Sequence, residues 1–160
     1  MDFQIRTSSA DETQALGSRL AALLFPGAVV GLNGDLGAGK TCFVKGLAVG
    51  LGIDADEVLS PTFTLIAEHC SGDTPLYHID LYRLEGADVE ETGMEEYLFG
   101  AGIAAIEWCR FLPAGMVNEY LLISFSQLEA ETRVLTFTPH GERYEQVVQA
   151  LKEGEGEMDK

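Results

Sequence analysis

Basic residues are scarce in this chain. Ten lysines and arginines stand against 26 aspartates and glutamates in 160 residues, giving a formal net charge of −16. Extensive direct binding to nucleic acid needs a basic face, and so few cations make one hard to build. Cysteine is also sparse: Cys42, Cys70 and Cys109 are odd in number and lack C-x-x-C or histidine spacing. That pattern indicates neither a disulfide framework nor a zinc site, so each thiol is read as a small buried hydrophobe. No apolar run approaches the length of a membrane span, and no basic-then-apolar stretch opens the chain as a signal peptide would, so a cytoplasmic protein is expected. No N-K-x-D element for guanine recognition is present, and no two arginines are adjacent.

The 46% hydrophobic content is that of a globular chain, and the length suits one domain. A single domain over residues 1–151 is expected, followed by an acidic tail, 152–160, with too little apolar surface to stay ordered.

Glycine is plentiful, and its placement carries the chemistry. Gly34-Asp35-Leu36-Gly37-Ala38-Gly39-Lys40-Thr41 fits G-x-x-x-x-G-K-[ST]. The apolar run 28–33 before it is short enough for a buried strand, and residues 42–49 after it space their apolar positions as a helix does. A strand turning through glycines into a helix N-terminus gathers unpaired backbone N–H groups and the positive end of the helix dipole at one point. Glycines let that backbone approach a phosphate closely. Lys40 supplies a compact charge for the terminal phosphates, and the Thr41 hydroxyl is a ligand for Mg²⁺. The negative net charge does not oppose this, because screening over roughly 8 Å leaves the local donors in control.

Taken in order, residues 3–6 alternate as an edge strand, and Ser9 or Asp11 caps a helix to about Leu24. Residues 63–70 and 76–82 form two strands joined by a short Gly/Pro-rich turn, an antiparallel hairpin. The segment 86–100 reads as one or two short helices. Residues 102–108 are a buried strand, 119–126 and 132–138 are two more around a polar turn, and an amphipathic helix follows through Leu151. The order of elements implies an α/β fold, a mixed parallel and antiparallel sheet sandwiched between helices in three layers, with the phosphate loop at the carboxyl edge of a central strand.

Two acids end strands that can flank this loop: Asp80 in Leu76-Tyr77-His78-Ile79-Asp80, and Glu107 after Ile103-Ala104-Ala105-Ile106. Both are candidates for the second magnesium partner or for orienting water. Ser60, Thr62 and Thr64 lie where P-loop switch proteins keep a γ-phosphate-sensing threonine, and Pro61 fixes the backbone before Thr62. Arg83 and Arg110 follow the two acids as rim ion pairs or phosphate contacts, Trp108 packs on a nucleotide, a partner or the core, and His69 and His78 read as structural.

With the phosphate loop, Ser60-Pro61-Thr62-Phe63-Thr64-Leu65, Tyr77-His78-Ile79-Asp80-Leu81-Tyr82-Arg83-Leu84 and Ile106-Glu107-Trp108 assembled, the chain resembles the TsaE (formerly YjeE) family from Thr13 to about Arg133. These are small bacterial ATPases required for threonylcarbamoyladenosine formation in tRNA. The resemblance implies a P-loop NTPase fold binding ATP and Mg²⁺, with Leu36, Gly37, Ala38, Gly39, Lys40 and Thr41 around the phosphates. It implies Thr41 and Glu107 as metal ligands, Thr62 near the γ-phosphate, and Asp80 in the acidic cluster; Lys40, Thr62, Asp80 and Glu107 would carry catalysis. It further implies TsaD and TsaB as partners, with hydrolysis serving turnover of their complex and tRNA met only through it. Cys42 departs from the threonine frequent at that position, and members vary over Cys109-Arg110-Phe111. A small-molecule kinase, the enzymatic alternative, would want an arginine-rich lid that no segment supplies. A nucleotide-gated binding protein with negligible turnover is the third reading.

Overall fold

A computed structural model describes residues 2–35, 39–58, 66–81, 94–98, 100–107, 112 and 115–158. Ser60, Thr62, Thr64, Arg83, Trp108, Cys109, Arg110, the middle of the phosphate loop and most of the segment 86–100 lie outside them.

Seven strands form one sheet: β1 (Phe3–Thr7), β2 (Val29–Asn33), β3 (Ile66–His69), β4 (Leu76–Asp80), β5 (Ile103–Glu107), β6 (Tyr120–Gln127) and β7 (Arg133–His140), in the order β1-β7-β6-β2-β5-β4-β3. The four strands β6, β2, β5 and β4 run parallel, while β7 and β3 are antiparallel to their neighbours. Near-continuous apolar sequence in β2 and β5 reflects burial on both faces. The longer β6 and β7 alternate, as strands with a half-exposed face must. The hairpin expected over residues 63–82 is present in its described part: β3 and β4 pair antiparallel, Ile66 opposite Ile79 and His69 opposite Leu76.

Three helices, α1 (Ala10–Ala21), α2 (Lys40–Gly50) and α3 (Glu142–Met158), share one hydrophobic cluster with the sheet. Leu16, Leu20, Phe43, Leu47, Val148 and Leu151 pack there against Val30, Leu32, Ala105 and Ile123. Val29, Ile79, Ala104 and Ile106 point the opposite way, into a second cluster with Leu98, Leu112 and Met116. Alternation along each strand therefore sorts its side chains between two layers.

Ser9 caps α1, its Oγ accepting the Glu12 N–H at 3.1 Å, while the Glu12 carboxylate accepts the Ser8 N–H at 3.2 Å. The helix stops at Ala21 rather than near Leu24, the chain continuing in tight turns in which the Leu23 N–H donates to the Leu20 carbonyl at 2.9 Å. Leu23 and Leu24 still pack on the core from those turns. At the other end, α3 runs on through Glu153 to Met158, where an unstructured tail was expected from 152 onward. An ion pair between Arg19 of α1 and Glu155 ties this extension to the body. The cysteine expectation also needs correction. Cys70 is exposed, at the turn that follows edge strand β3, and Cys42 is half-buried.

Candidate functional site

At the end of β2 the chain leaves the sheet through Gly34 and Asp35 and re-enters regular structure at Gly39, the N-cap of α2. Gly39 has φ +102°, a left-handed conformation that a side chain strains to adopt. It has no side-chain cap, and the first turn of α2 holds no acidic residue, so the positive end of this helix is not neutralised by its own sequence.

Lys40 opens the helix and is 5% exposed. A buried ammonium demands partners, and its Nζ donates to the carbonyl of Gly34 across the loop. The cation is thereby held between the last residue of the strand turn and the first turn of the helix. Thr41 follows at an intermediate depth.

Parallel pairing of β4 with β5 sets Asp80 directly opposite Glu107, and pairing of β5 with β2 sets Glu107 opposite Leu32. All three positions lie on the sheet face that carries α2, at the carboxyl edge where the phosphate loop begins. Each carboxylate is 4% exposed. Two buried acids and one buried cation, with few other buried charges among the described residues, mark this edge as built for something other than packing. Glu107 is hydrogen-bonded by His78 Nε2, from β4. His78 was expected to be structural; the alternation of Tyr77-His78-Ile79-Asp80, which puts His78 on the face of Asp80, is the sequence signal that identifies it.

A second feature went unread in the sequence. Arg133, first residue of β7, and Thr13 of α1 stand over Gly39: a Cβ there would lie 3.9 Å from both Arg133 Nε and Thr13 Cγ2. Together with Ala10, Cys42 and Glu131 they line a cavity of about 120 Å³ beside the start of α2. Arg133 Nη1 donates to the Ala130 carbonyl at 2.9 Å, which braces the β6–β7 turn against the side chain. The Cys42 thiol, whose Sγ donates to the Ala10 carbonyl at 3.1 Å, is pushed up in pKa by burial and stays protonated.

Among the described residues no three His, Cys, Asp or Glu side chains cluster into a self-sufficient metal cage. A hard cation such as Mg²⁺ does not require one, since it keeps waters and takes one or two carboxylates plus phosphate oxygens. Glu107 and Asp80, adjacent across β4 and β5, and the Thr41 hydroxyl at the start of α2 are oxygen donors of the kind that mode takes. Among the described residues no helix is long and apolar enough to cross a membrane.

A glycine-flanked loop between a central parallel strand and a helix, with buried acids on the neighbouring strands, defines the P-loop NTPase-like class of α/β proteins. Within that class the chain belongs to the TsaE family: the family model described as threonylcarbamoyl adenosine biosynthesis protein TsaE matches residues 7–135. It is 44% identical over 146 residues to the tRNA threonylcarbamoyladenosine biosynthesis protein TsaE of Bacillus subtilis (strain 168), covering 91% of each chain. The protein of that name from Treponema pallidum is 43% identical over 129 residues, 80% of this chain and 94% of that one. The crystal structure of YdiB from Bacillus subtilis superposes with a TM-score of 0.82 at 37% identity, covering 97% of both chains.

Proposed function

We propose that this protein is a Mg²⁺-dependent ATPase acting in the biosynthesis of threonylcarbamoyladenosine in tRNA. The observation that carries the reading is the convergence of buried Lys40, Asp80 and Glu107 at the carboxyl edge of β2, β4 and β5, where α2 begins. In this reading Leu36, Gly37, Ala38 and Gly39 offer backbone N–H groups to the phosphates and Lys40 neutralises the terminal ones. Thr41 and Glu107 hold the magnesium ion, which draws charge off the phosphate oxygens when bound. Asp80 orients the attacking water, and Thr62 approaches the γ-phosphate. The nucleoside end of the nucleotide then lies toward the cavity between Thr13, Cys42 and Arg133, beside the start of α2. The functional unit is one cytoplasmic domain, and its hydrolysis serves turnover of a TsaD–TsaB complex.

Lys40→Ala is expected to remove ATP binding measured by calorimetry while the melting temperature shifts little. Glu107→Ala and Thr41→Ala are expected to lower Mg²⁺-dependent turnover by at least about 100-fold, the scale of a lost charge-stabilising contact. Retained ATP affinity in Lys40→Ala would refute the phosphate-seat assignment. Equal losses of stability and turnover in the other two variants would make their roles structural. Transfer of the γ-phosphate to a metabolite, unaffected by TsaD and TsaB, would turn the assignment toward a kinase.

A further inference from the structure

We infer that His78 is a positioning residue for Glu107, fixing one carboxylate oxygen so that the other is presented at the sheet edge to the magnesium ion; this rests on the ATPase reading above. His78 is completely buried in β4, with Ala105 of β5 opposite and Glu107 two residues further along that strand. Side chains two residues apart share a face, so His78 stands one step back from the edge on which Asp80 and Glu107 sit. Its Nε2 hydrogen-bonds Glu107 Oε2. A carboxylate only accepts, so Nε2 carries the proton and donates. His78 Nδ1 has no hydrogen-bond partner among the described residues. A core position that only needed filling would take an apolar side chain. This one holds a ring whose one hydrogen bond among the described residues is with the candidate magnesium ligand.

The physical consequence is preorganisation. A glutamate at a strand end has three side-chain torsions, and ordering them when metal binds costs entropy. A donor already bonded to Oε2 fixes the carboxylate plane before metal arrives and leaves the other oxygen to meet it. Outer-shell partners of this kind change metal affinity by about 10- to 100-fold when removed.

The test compares wild type with His78→Gln, whose side-chain amide reaches the position of Nε2–H, and with His78→Leu, which fills the space without a donor. Binding of the β,γ-imido analogue of ATP is measured by calorimetry with Mg²⁺ and with EDTA. His78→Leu is expected to keep the EDTA affinity of wild type and to lose about 10-fold of the gain that Mg²⁺ confers. His78→Gln is expected to restore most of that gain, with KM for Mg·ATP following the affinity, raised in His78→Leu and returning toward wild type in His78→Gln. A Mg²⁺ gain that survives in His78→Leu would overturn the positioning role alone. Absence of any Mg²⁺ gain in wild type would overturn the magnesium reading and this inference with it. Nitrogen-15 NMR of the wild-type imidazole gives a check independent of folding in the variants: the Nε2–H tautomer is expected, and Nδ1–H would refute the bond.

Discussion

Gly39 and His69 show how single residues bear on stability. Ala at position 39 has room, since its nearest side-chain neighbours are 3.9 Å away, so its whole penalty comes from φ +102°. Gly39→Ala is expected to cost about 1–2 kcal/mol of unfolding free energy and to weaken ATP binding, because relaxing the strain rotates the first amides of α2. Denaturant titration and calorimetry check both, and an unchanged denaturation midpoint would mean the left-handed backbone is not required. His69 is buried in β3, and its pKa is pushed below the ordinary 6.5 by burial first and by neighbouring His78 second. The unfolded chain therefore binds more protons at this residue once pH drops through about 6.5, so stability falls with acidification in that window. In His69→Gln the wild-type loss of stability between about pH 7 and about pH 5 should be smaller. Identical pH profiles for the two proteins would place the acid sensitivity elsewhere.

At the scale of elements, the site depends on how α1 and α2 touch. A Cβ at Gly46 would lie 2.0 Å from the Gln14 carbonyl oxygen, and one at Gly17 would lie 2.4 Å from the Phe43 carbonyl oxygen. The helices meet backbone to backbone, and Ser18 Oγ donates to the Gly46 carbonyl at 2.8 Å. Glycine inside a helix costs about 1 kcal/mol in propensity, so Gly46 weakens α2 locally while permitting this approach. Gly46→Ala is expected to push the helices apart, cost about 2–3 kcal/mol, and raise the dissociation constant for ATP by shifting the phosphate seat. A variant as stable as wild type with normal ATP affinity would show that the contact can give without moving α2. The same elements show what the sequence could and could not disclose. Strand β2, helix α2 and the β3–β4 hairpin each declare themselves through local periodicity and turn residues. That Asp80 and Glu107 are direct neighbours follows only from the parallel pairing of β4 with β5, a non-local fact. Arg133 was invisible for the same reason: 94 positions of sequence separate it from Gly39, and only the placement of β7 beyond β6 brings its side chain over the loop. The full length of α3 was hidden because its last turns are held by an ion pair to another helix rather than by their own apolar face.

For the whole molecule, the net charge of −16 governs how it meets other macromolecules. With ten basic residues against 26 acidic ones, the free protein is expected not to shift tRNA in a mobility assay at physiological salt. The acid excess favours basic surfaces, so the proposed encounter with a TsaD–TsaB complex should be steered electrostatically and weaken as salt rises. P-loop proteins hydrolyse slowly until a partner completes the site, where an added group can raise the rate by orders of magnitude. Adding the TsaD–TsaB pair is therefore expected to raise ATPase kcat at least about 10-fold. Stimulation should decline between about 50 mM and about 500 mM salt as screening shortens the reach of the surface charge, and Lys40→Ala should show none of it. Stimulation indifferent to salt would assign the encounter to apolar contact. No stimulation at any salt would separate hydrolysis from that complex, because a buried Lys40, Asp80 and Glu107 would then be turning over ATP without reference to it.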